Sequence, residues 1–406
     1  MKQTKQHTEN THFLKKGTWT AGSSLFALLG LVLIFWVAVH VHPGTSFLAE
    51  AAAQTGQFNL STEVTSWSGS AEDAILGRFL ENTADASSTR PALLGASVPD
   101  PSGYRDIYMP ADVLSVIDKA RSSNLLGEEE EMVFSADSAF LSNVPIRIYR
   151  DDTILVICWK EIIDGRVCSC SEIKIADASQ MRRKLSQDQY GSPIKAFATD
   201  LAAQCNAVVA MNADYYLPRD LGVTVYNGRL YRFNEWTYTG KYRSYNCLDT
   251  LLINSSGDFR FLRMGEECSR NQLESLLKQQ NILFSIAFGP VLVENGKMVS
   301  HDWYPLGEIN ERYSRAGFAQ CGPLHYLYMT VSHSEENTPV CTIDEFAAIF
   351  ATKNVQYAYA FDGGQTGELV FAGEAYNHID FGSERTVSDI LCFTSSSAAL
   401  KGGAGK

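Results

Sequence analysis

An uncharged, apolar segment near the N-terminus constrains this chain more than any other feature. Residues 17–40 include no Asp, Glu, Lys or Arg, and Ser24–Val39 is almost entirely apolar. A helix rises about 1.5 Å per residue and a bilayer core is about 30 Å thick, so roughly 20 such residues cross it. Lys15 and Lys16 come just before the segment, and basic residues stay on the cytoplasmic side. The segment therefore predicts a transmembrane signal-anchor at residues 17–42.

This orientation predicts a single-pass protein of the cell membrane. Residues 1–16 form a cytoplasmic tail, and the C-terminal part is extracytoplasmic. A cleaved signal peptide is the alternative, because small residues suited to cleavage follow at Ala49-Glu50-Ala51 and Ala51-Ala52-Ala53. The apolar run is long for a signal peptide, so we favour the retained anchor.

The overall composition is that of a folded, acidic protein. Of the 406 residues 45% are apolar, which is enough for a sizeable core. Lys and Arg number 34 against 46 Asp and Glu, giving a formal net charge of −12. Proteins bind nucleic acids through basic faces, so this charge argues against a nucleic-acid partner.

Three regions follow the predicted anchor. Residues 43–103 are rich in Ser, Thr, Ala, Gly and Glu and poor in aromatic residues. Such a sequence buries too little apolar surface to offset the entropy lost on ordering, so we predict a flexible stalk. Residues 104–395 carry helix and strand patterns and form the predicted folded domain. Residues 396–406 are predicted to be a disordered tail.

Within the predicted domain, short strands and hairpins outnumber helices. Asn227-Gly228 and Asn295-Gly296 each separate two apolar runs, which is a strong signal for a two-residue hairpin. A capping box at residues 342–345 begins a helix. Further helices are predicted after Asp177 and from Ser192-Pro193. This order predicts an α+β fold with mixed, largely antiparallel sheets and several packed helices, preceded by the one N-terminal transmembrane helix.

The nine cysteines do not indicate a metal site. None of their spacings matches a zinc motif, so we predict no structural metal from them. Cys247 and Cys268 flank a predicted strand pair and are the candidate disulfide. Cys205 and Cys392 lie in apolar runs, where Cys often packs as a small hydrophobic residue.

Two predicted strands end abruptly in acidic and amide residues. The run Val208–Met211 leads into Asn212 and Asp214, and the run Ala358–Phe361 leads into Asp362 and two glycines. A buried strand that carries an Asp at its end fixes that side chain, and glycines let a ligand approach the backbone. The alternative role for both aspartates is to cap turns.

Seven blocks of sequence, taken in order, resemble a known family. They are Ser171–Arg183, Asn206–Tyr216, Gly222–Arg232, Phe288–Lys297, Ser314–Val331, Tyr359–Gly364 and Glu384–Leu391. Together they resemble the phosphodiester glycosidase family over roughly residues 150–393. The resemblance implies an α+β glycosidase core that cleaves the C1–O bond of a sugar-1-phosphodiester.

The resemblance also implies roles for individual residues. Asp214 and Asp362 are the implied catalytic carboxylates, which divide the work at C1 as base or nucleophile and as ligand of a sugar hydroxyl. Arg315, together with Arg385, is the implied phosphate ligand, because a guanidinium binds phosphate through two parallel hydrogen bonds. A structural salt bridge with Glu384 or with a loop carboxylate is the alternative for Arg385. The other implied substrate-binding residues are Asn212, Gly289, Gly363, Gly364 and Thr366.

No cofactor is required by the implied chemistry. Asp214 and Asp362 are nevertheless suitable ligands for a divalent cation, although no spacing demands one. The expected partners are a glycan or sugar phosphodiester of the cell envelope and, through the N-terminal helix, the membrane.

Some motif positions depart from the family pattern. Ala360, Gln365 and Gly367 stand where the family has Asn, Gly and Ser. Those residues would add hydrogen bonds or backbone access near a ligand. Two functions therefore stay open. The first is a membrane-anchored, extracytoplasmic glycosidase that hydrolyses N-acetylglucosamine-1-phosphodiester-like bonds in cell-envelope or exopolysaccharide glycans. The alternative is a catalytically weakened glycan-binding or scaffold relative in the assembly of those glycans.

Overall fold

The computed structural model describes residues 96–141, 143–215, 222–233, 235–237, 244–246, 248–266, 268–305, 309–333 and 338–396. The predicted anchor, the predicted stalk up to residue 95 and Cys247 lie outside these residues. In the described part there are four α-helices: α1 (Pro110–Ser122), α2 (Ala198–Gln204), α3 (Arg270–Gln279) and α4 (Ile343–Thr352).

Twenty-two strands occur in the same residues. The first eleven are β1 (Ala96–Ser97), β2 (Tyr104–Ile107), β3 (Ile146–Arg150), β4 (Ile154–Ile163), β5 (Arg166–Ile175), β6 (Met181–Leu185), β7 (Ala207–Asn212), β8 (Val223–Tyr226), β9 (Arg229–Phe233), β10 (Glu235–Thr237) and β11 (Ser244–Asn246). The others are β12 (Thr250–Asn254), β13 (Phe259–Leu262), β14 (Ile282–Ile286), β15 (Val291–Glu294), β16 (Lys297–Met298), β17 (Arg315–Gly322), β18 (His325–Val331), β19 (Tyr357–Phe361), β20 (Leu369–Phe371), β21 (Glu374–Ala375) and β22 (Asp389–Ser396).

Two large sheets dominate the fold. One has nine strands in the order β16-β15-β19-β17-β18-β5-β4-β3-β2. The other has the order β1-β22-β7-β20-β21, with β6 also paired to β22. A three-stranded sheet (β13-β12-β14) and the pairs β8-β9 and β10-β11 complete the set. Every named pair of strands in the described residues is antiparallel, which confirms the predicted α+β fold with largely antiparallel sheets.

The apolar residues of these elements form stacked layers. One core lies between the nine-stranded sheet and helices α1 and α4. A second core lies between the opposite face of that sheet and the six-stranded and three-stranded sheets. Helix α2 packs on the outer face of the six-stranded sheet, and α3 packs on the three-stranded sheet and the β8-β9 hairpin. Both large sheets are therefore covered, and the ends of their central strands face each other.

Local sequence signals explain several of these elements. Helix α4 begins at a complete capping box in which Thr342 accepts from the backbone of Glu345 and the Glu345 side chain accepts from Thr342. The two predicted hairpins form as β8-β9 and β15-β16. Asn227 and Asn295 both have positive φ, as a two-residue turn of this type requires.

Two predicted helices are wrong in this region. Asp177 caps only a single 3₁₀ turn, Ala178–Gln180, and the residues after it form strand β6. These residues pair with β22 as a further strand of the buried sheet, and this pairing replaces the predicted helix. The helix expected from Ser192-Pro193 begins instead at Ala198, since Ala196 bridges to Val387.

Ordered structure begins before residue 104. Ala96 and Ser97 pair with the last two residues of β22, and the backbone N–H of Asp100 donates to the Tyr149 hydroxyl at 3.1 Å. The described fold thus takes in the last eight residues of the segment predicted as stalk. Among the described residues, no helix is long and apolar enough to span a bilayer.

A buried charged cluster fixes the segment after α1 to the nine-stranded sheet. His325 lies 2.7 Å from Glu172 and 3.1 Å from Glu130, and Lys174 lies 2.7 Å from Glu130. The Glu172 carboxylate also accepts hydrogen bonds from two backbone N–H groups, at residues 133 and 134. Burial by itself would lower the pKa of His325, but the hydrogen bonds and charges of Glu130 and Glu172 raise it to about 9. The imidazolium is therefore the charge that holds the two carboxylates together.

This cluster predicts a specific pH dependence of stability. A histidine whose pKa is raised on folding stabilises fully below its unfolded pKa of about 6.5, and this contribution disappears as the pH rises through about 9. We expect His325→Gln to lower the free energy of unfolding by about 3 kcal/mol at pH 6. The difference from wild type should shrink towards zero by pH 10. Urea unfolding of both proteins at several pH values measures this, and a difference that is constant with pH would contradict it.

Candidate active site

The two acidic strand ends meet in the structure. Asn212, the last residue of β7, donates from Nδ2 to the carbonyl of Asp362 at 2.8 Å, just after β19 ends. Its Oδ1 accepts from the Tyr328 hydroxyl at 2.6 Å and from the Glu368 N–H at 3.3 Å. Asn212 is almost fully buried. It therefore joins the two large sheets and positions the backbone of Asp362.

A small polar pocket opens beside this junction. It has an empty volume of about 320 Å³, counted with its open mouth. Its lining residues are Lys195, Asn212, Ala213, Asp214, Tyr215, Asp362, Thr366, Arg385, Thr386, Val387, Ser388 and Asp389. Five of the residues predicted from sequence line it: both proposed catalytic aspartates, with Asn212, Thr366 and Arg385.

The carboxylate of Asp214 belongs to a buried ion network. Arg183 Nη2 lies 3.3 Å from Asp214 and its Nε lies 2.5 Å from Asp389, and all three side chains have no exposed surface. The backbone N–H of Ala287 also donates to Asp214, at 3.3 Å. Burial and the repulsion of Asp214 raise the pKa of Asp389, while Arg183 opposes the rise. This network shapes and charges the wall of the pocket from inside the protein.

Asp362 is in a different environment. Its side chain is half-buried and lines the pocket directly. The turn that follows needs glycine, because a Cβ on Gly363 would come within 2.3 Å of the Ser314 carbonyl. Gly364 has a φ of +58°, and its N–H donates to the same carbonyl at 3.0 Å. The two glycines thus act through the backbone, and they present Asp362 and Thr366 to the pocket.

Two cations in the pocket lining have no acidic partner. Lys195 precedes α2 and is half-buried, and Arg385 is exposed. Within the described part of the chain neither forms an ion pair, and Arg385 donates one long hydrogen bond, 3.5 Å, to the Thr366 hydroxyl. The predicted alternative of a salt bridge between Arg385 and Glu384 does not occur. Instead, Glu384 accepts hydrogen bonds from the hydroxyl and N–H of Thr199 in the first turn of α2.

Four predicted binding residues lie outside the pocket lining: Gly363 and Gly364, described above, and Arg315 and Gly289. Arg315 donates to the carbonyls of Cys341 at 3.2 Å and Glu311 at 2.8 Å. Gly289 has a φ of +80°, and a Cβ there would lie 2.2 Å from the Tyr304 hydroxyl. Both residues therefore hold the fold in place, and a direct role in binding stays a prediction for each.

Several residues of the site were not predicted from sequence. Arg183 and Lys195 lie among ordinary polar positions, and Asp389 looks like the beginning of an apolar strand. Glu368 is also buried behind the pocket. Burial, with the neighbouring Glu384 carboxyl, raises its pKa to about 9, so it is protonated at neutral pH. Glu368 directly follows the Gly-rich turn in the sequence, and this position was the available signal for it.

The described residues contain no group of three His, Cys, Asp or Glu side chains arranged to hold a metal ion. Arg183 already occupies one side of the Asp214 carboxylate. The pocket thus offers a carboxylate and two cations around a small polar space, which suits an enzyme that acts on an anionic ester.

The family comparison agrees with this class of site. Residues 205–394 match the family model described as phosphodiester glycosidase. This part of the chain, slightly under half of its length, therefore resembles a phosphodiester glycosidase domain. The match supports a hydrolase that acts on glycosyl bonds. It includes both strand ends, Asp362, Arg385 and Asp389, but not Arg183 or Lys195.

Solved structures resemble the chain only distantly. The catalytic domain of zebrafish N-acetylglucosamine-1-phosphodiester alpha-N-acetylglucosaminidase, auto-inhibited by its pro-peptide, is 15% identical with a TM-score of 0.45. The similarity covers 64% of this chain and 86% of that domain. A hypothetical protein from Synechocystis is 13% identical, with a TM-score of 0.44 and coverage of 64% and 65%. A putative exported protein from Burkholderia pseudomallei is 12% identical, with a TM-score of 0.37 and coverage of 59% and 74%. A search of curated proteins gave no significant match.

The buried ion network of Arg183, Asp214 and Asp389 should contribute to the stability of the fold. Arg183→Met would leave the carboxylates of Asp214 and Asp389 buried without their cation. Removing one partner of such a pair commonly costs about 3–5 kcal/mol, so we expect the free energy of unfolding to fall by about that amount. Arg182→Met is the matched control, because Arg182 is the neighbouring residue of β6 and is half-buried. Urea unfolding at pH 7 gives both values, and equal stability of the two variants would refute the role of Arg183.

Proposed function

We propose that the protein hydrolyses the C1–O bond of a sugar-1-phosphodiester, of the N-acetylglucosamine-1-phosphodiester kind. One observation carries the proposal. The domain that matches the phosphodiester glycosidase family has a pocket lined by the half-buried carboxylate of Asp362 and by two cations, Lys195 and Arg385, that form no ion pair with any residue the structure describes. An anionic ester with a cationic transition state needs these two kinds of charge.

The cations suit the phosphate. A phosphodiester carries one negative charge, and a guanidinium can bind two of its oxygens through parallel hydrogen bonds. Arg385 is exposed and makes only a long hydrogen bond to Thr366, so little must be broken when it binds an anion. Lys195 adds a second positive charge, and the Thr366 hydroxyl can donate to a phosphate oxygen.

The carboxylate suits the sugar carbon. A phosphate ester anion is a good leaving group, so cleavage needs little protonation of the departing oxygen. Positive charge develops at C1 as this bond breaks, and a nearby carboxylate stabilises it or directs the attacking water. Asp362 is the carboxylate we assign to this work, because it follows the end of β19 and its half-buried side chain lines the pocket. A catalytic role for Asp214 stays a prediction; its side chain has no exposed surface and is ion-paired with Arg183 in the wall of the pocket.

The departures from the family pattern fit an active site. Ala360 is buried in the core against α4, so its side chain is not part of the pocket. The Gln365 side chain donates to the carbonyl of Ser383 at 3.0 Å, two residues before Arg385. Gln365 therefore supports the loop that carries the proposed phosphate ligand and does not fill the pocket. Because neither side chain occupies the pocket, positions 360 and 365 favour a catalytic protein over a weakened glycan-binding relative.

Hydrolysis of a synthetic α-N-acetylglucosaminyl-1-phosphodiester tests this function. The products are the free sugar and a phosphomonoester, which phosphorus NMR separates from the diester. We expect Asp362→Asn to lower kcat by about 10²–10⁴-fold, because the carboxylate charge is lost. Arg385→Gln should mainly raise KM. Arg270→Gln, an exposed change on α3, is the matched control and should leave both constants unchanged.

One pattern of results would contradict the catalytic proposal. It is a wild-type protein that is inert on several sugar-1-phosphodiesters and still binds glycans equally well with Asp362→Asn. That result would support the binding or scaffold relative.

The place of action is part of the proposal. The apolar, uncharged residues 17–42 with Lys15 and Lys16 before them support a single-pass anchor, an extracytoplasmic domain and substrates in cell-envelope or exopolysaccharide glycans. Protease added to intact cells or spheroplasts should digest the domain and leave an N-terminal fragment protected. Protection of the whole chain would contradict this orientation. Release of a soluble domain that begins near Ala52 would indicate the cleaved signal peptide.

A further inference from the structure

Two cysteines far apart in sequence are in contact inside the domain. Cys205 lies at the C-terminal end of α2 and Cys392 lies in β22, 187 positions later. Their Sγ atoms are 3.2 Å apart. Cys205 is 4% exposed and Cys392 is fully buried. The sequence predicted only that both pack as small hydrophobic residues, so this pairing comes from the structure.

The distance is close to what a covalent bond requires. The sulfur atoms of a disulfide are about 2.05 Å apart, so the two atoms need to approach by about 1 Å. Cys205 is at the end of α2 and Cys392 is on the strand that α2 covers, and both belong to the apolar cluster between these elements. This makes the pair a built site for a disulfide.

The chemistry of the two thiols differs from that of other buried cysteines. Burial raises the pKa of Cys158 and of Cys341 to about 12, which leaves both inert. Contact with the Cys392 thiol, and then the charges of Lys184 and Arg182, lower the pKa of Cys205 despite its burial. Because the thiolate is the reactive form, Cys205 is the better nucleophile of these.

We propose that Cys205 and Cys392 form a disulfide by exchange with a small disulfide such as oxidised glutathione. The Cys205 thiolate attacks one sulfur of the reagent and releases one reduced glutathione. The Cys392 thiolate then attacks Cys205 in the mixed disulfide and releases the second. Two thiols are oxidised to one disulfide, and one oxidised glutathione is reduced to two thiols.

The bond would fix two elements that border the pocket. Strand β22 begins at Asp389, and the segment before α2 carries Lys195, and both residues line the pocket. A crosslink across 187 positions also removes much of the freedom of the unfolded chain, the largest effect that such a bond has in theory. The buried sulfurs exclude solvent, so the exchange takes place as the chain folds or when α2 opens. An extracytoplasmic location, as proposed above, would supply oxidising conditions.

Refolding the full chain in detergent with a mixture of reduced and oxidised glutathione tests the disulfide without reference to activity or location. Alkylation of the denatured product should then leave Cys205 and Cys392 unmodified, and peptide mass mapping should find Cys205 linked to Cys392. Reduction of this product should lower Tm by roughly 5–10 °C. The double variant Cys205→Ala and Cys392→Ala should show no effect of reduction on Tm.

Cys321→Ala is the matched control, because this half-buried cysteine should leave the response of Tm to reductant unchanged. Nine alkylated cysteines after refolding, or a linked peptide that joins Cys205 or Cys392 to a different cysteine, would overturn the proposal. Either result is independent of hydrolysis of any phosphodiester, so failure here leaves the proposed enzyme activity unaffected.

Discussion

The pocket depends on one buried guanidinium. Arg183 contacts Asp214 after β7 and Asp389 at the beginning of β22, and it donates to the carbonyls of Val225 in β8 and Ser285 in β14. It therefore ties the six-stranded sheet to the two smaller sheets beside it. A cation with five donors can satisfy this many acceptors at once, whereas apolar side chains would leave each carboxylate and carbonyl unpaired. These shared contacts join the acceptors on one side of the pocket to a single residue.

The same network divides the acidic residues of the site into two kinds. Asp214 and Asp389 are locked inside the protein and neutralised in part by Arg183, so their effect on a ligand is electrostatic. Asp362 is half-buried at the pocket, and its backbone carbonyl accepts a hydrogen bond from Asn212. A carboxylate in a field made by fixed charges is preorganised for one developing positive charge. Lys195 and Arg385, which form no ion pair within the described residues, add positive charge to the same pocket.

The sequence predicts those features that depend on neighbouring residues. The hairpins at Asn227 and Asn295 and the capping box at Thr342 are local, and all three form as predicted. Strand β6 was missed because its state depends on a partner strand more than 200 residues away. Arg183 and Cys205 were missed for the same reason, since nothing in the chain beside them distinguishes Arg183 from Arg182. The acidic strand ends could be found because each combines a buried run and a polar stop in a few residues.

The side of β17 on which Arg315 lies explains why its position does not support its implied role as a phosphate ligand. In β17 the even-numbered residues Ala316 and Phe318 face the core shared with the six-stranded sheet, where the pocket opens. Successive side chains alternate between faces, so Arg315 faces the core of α4, and it donates to the Cys341 carbonyl there. Its backbone still adjoins Gly363, which explains why the arginine and the glycine motif are close in space. Lys195 and Arg385 both line the pocket, one on each of the two segments that bridge at Ala196 and Val387.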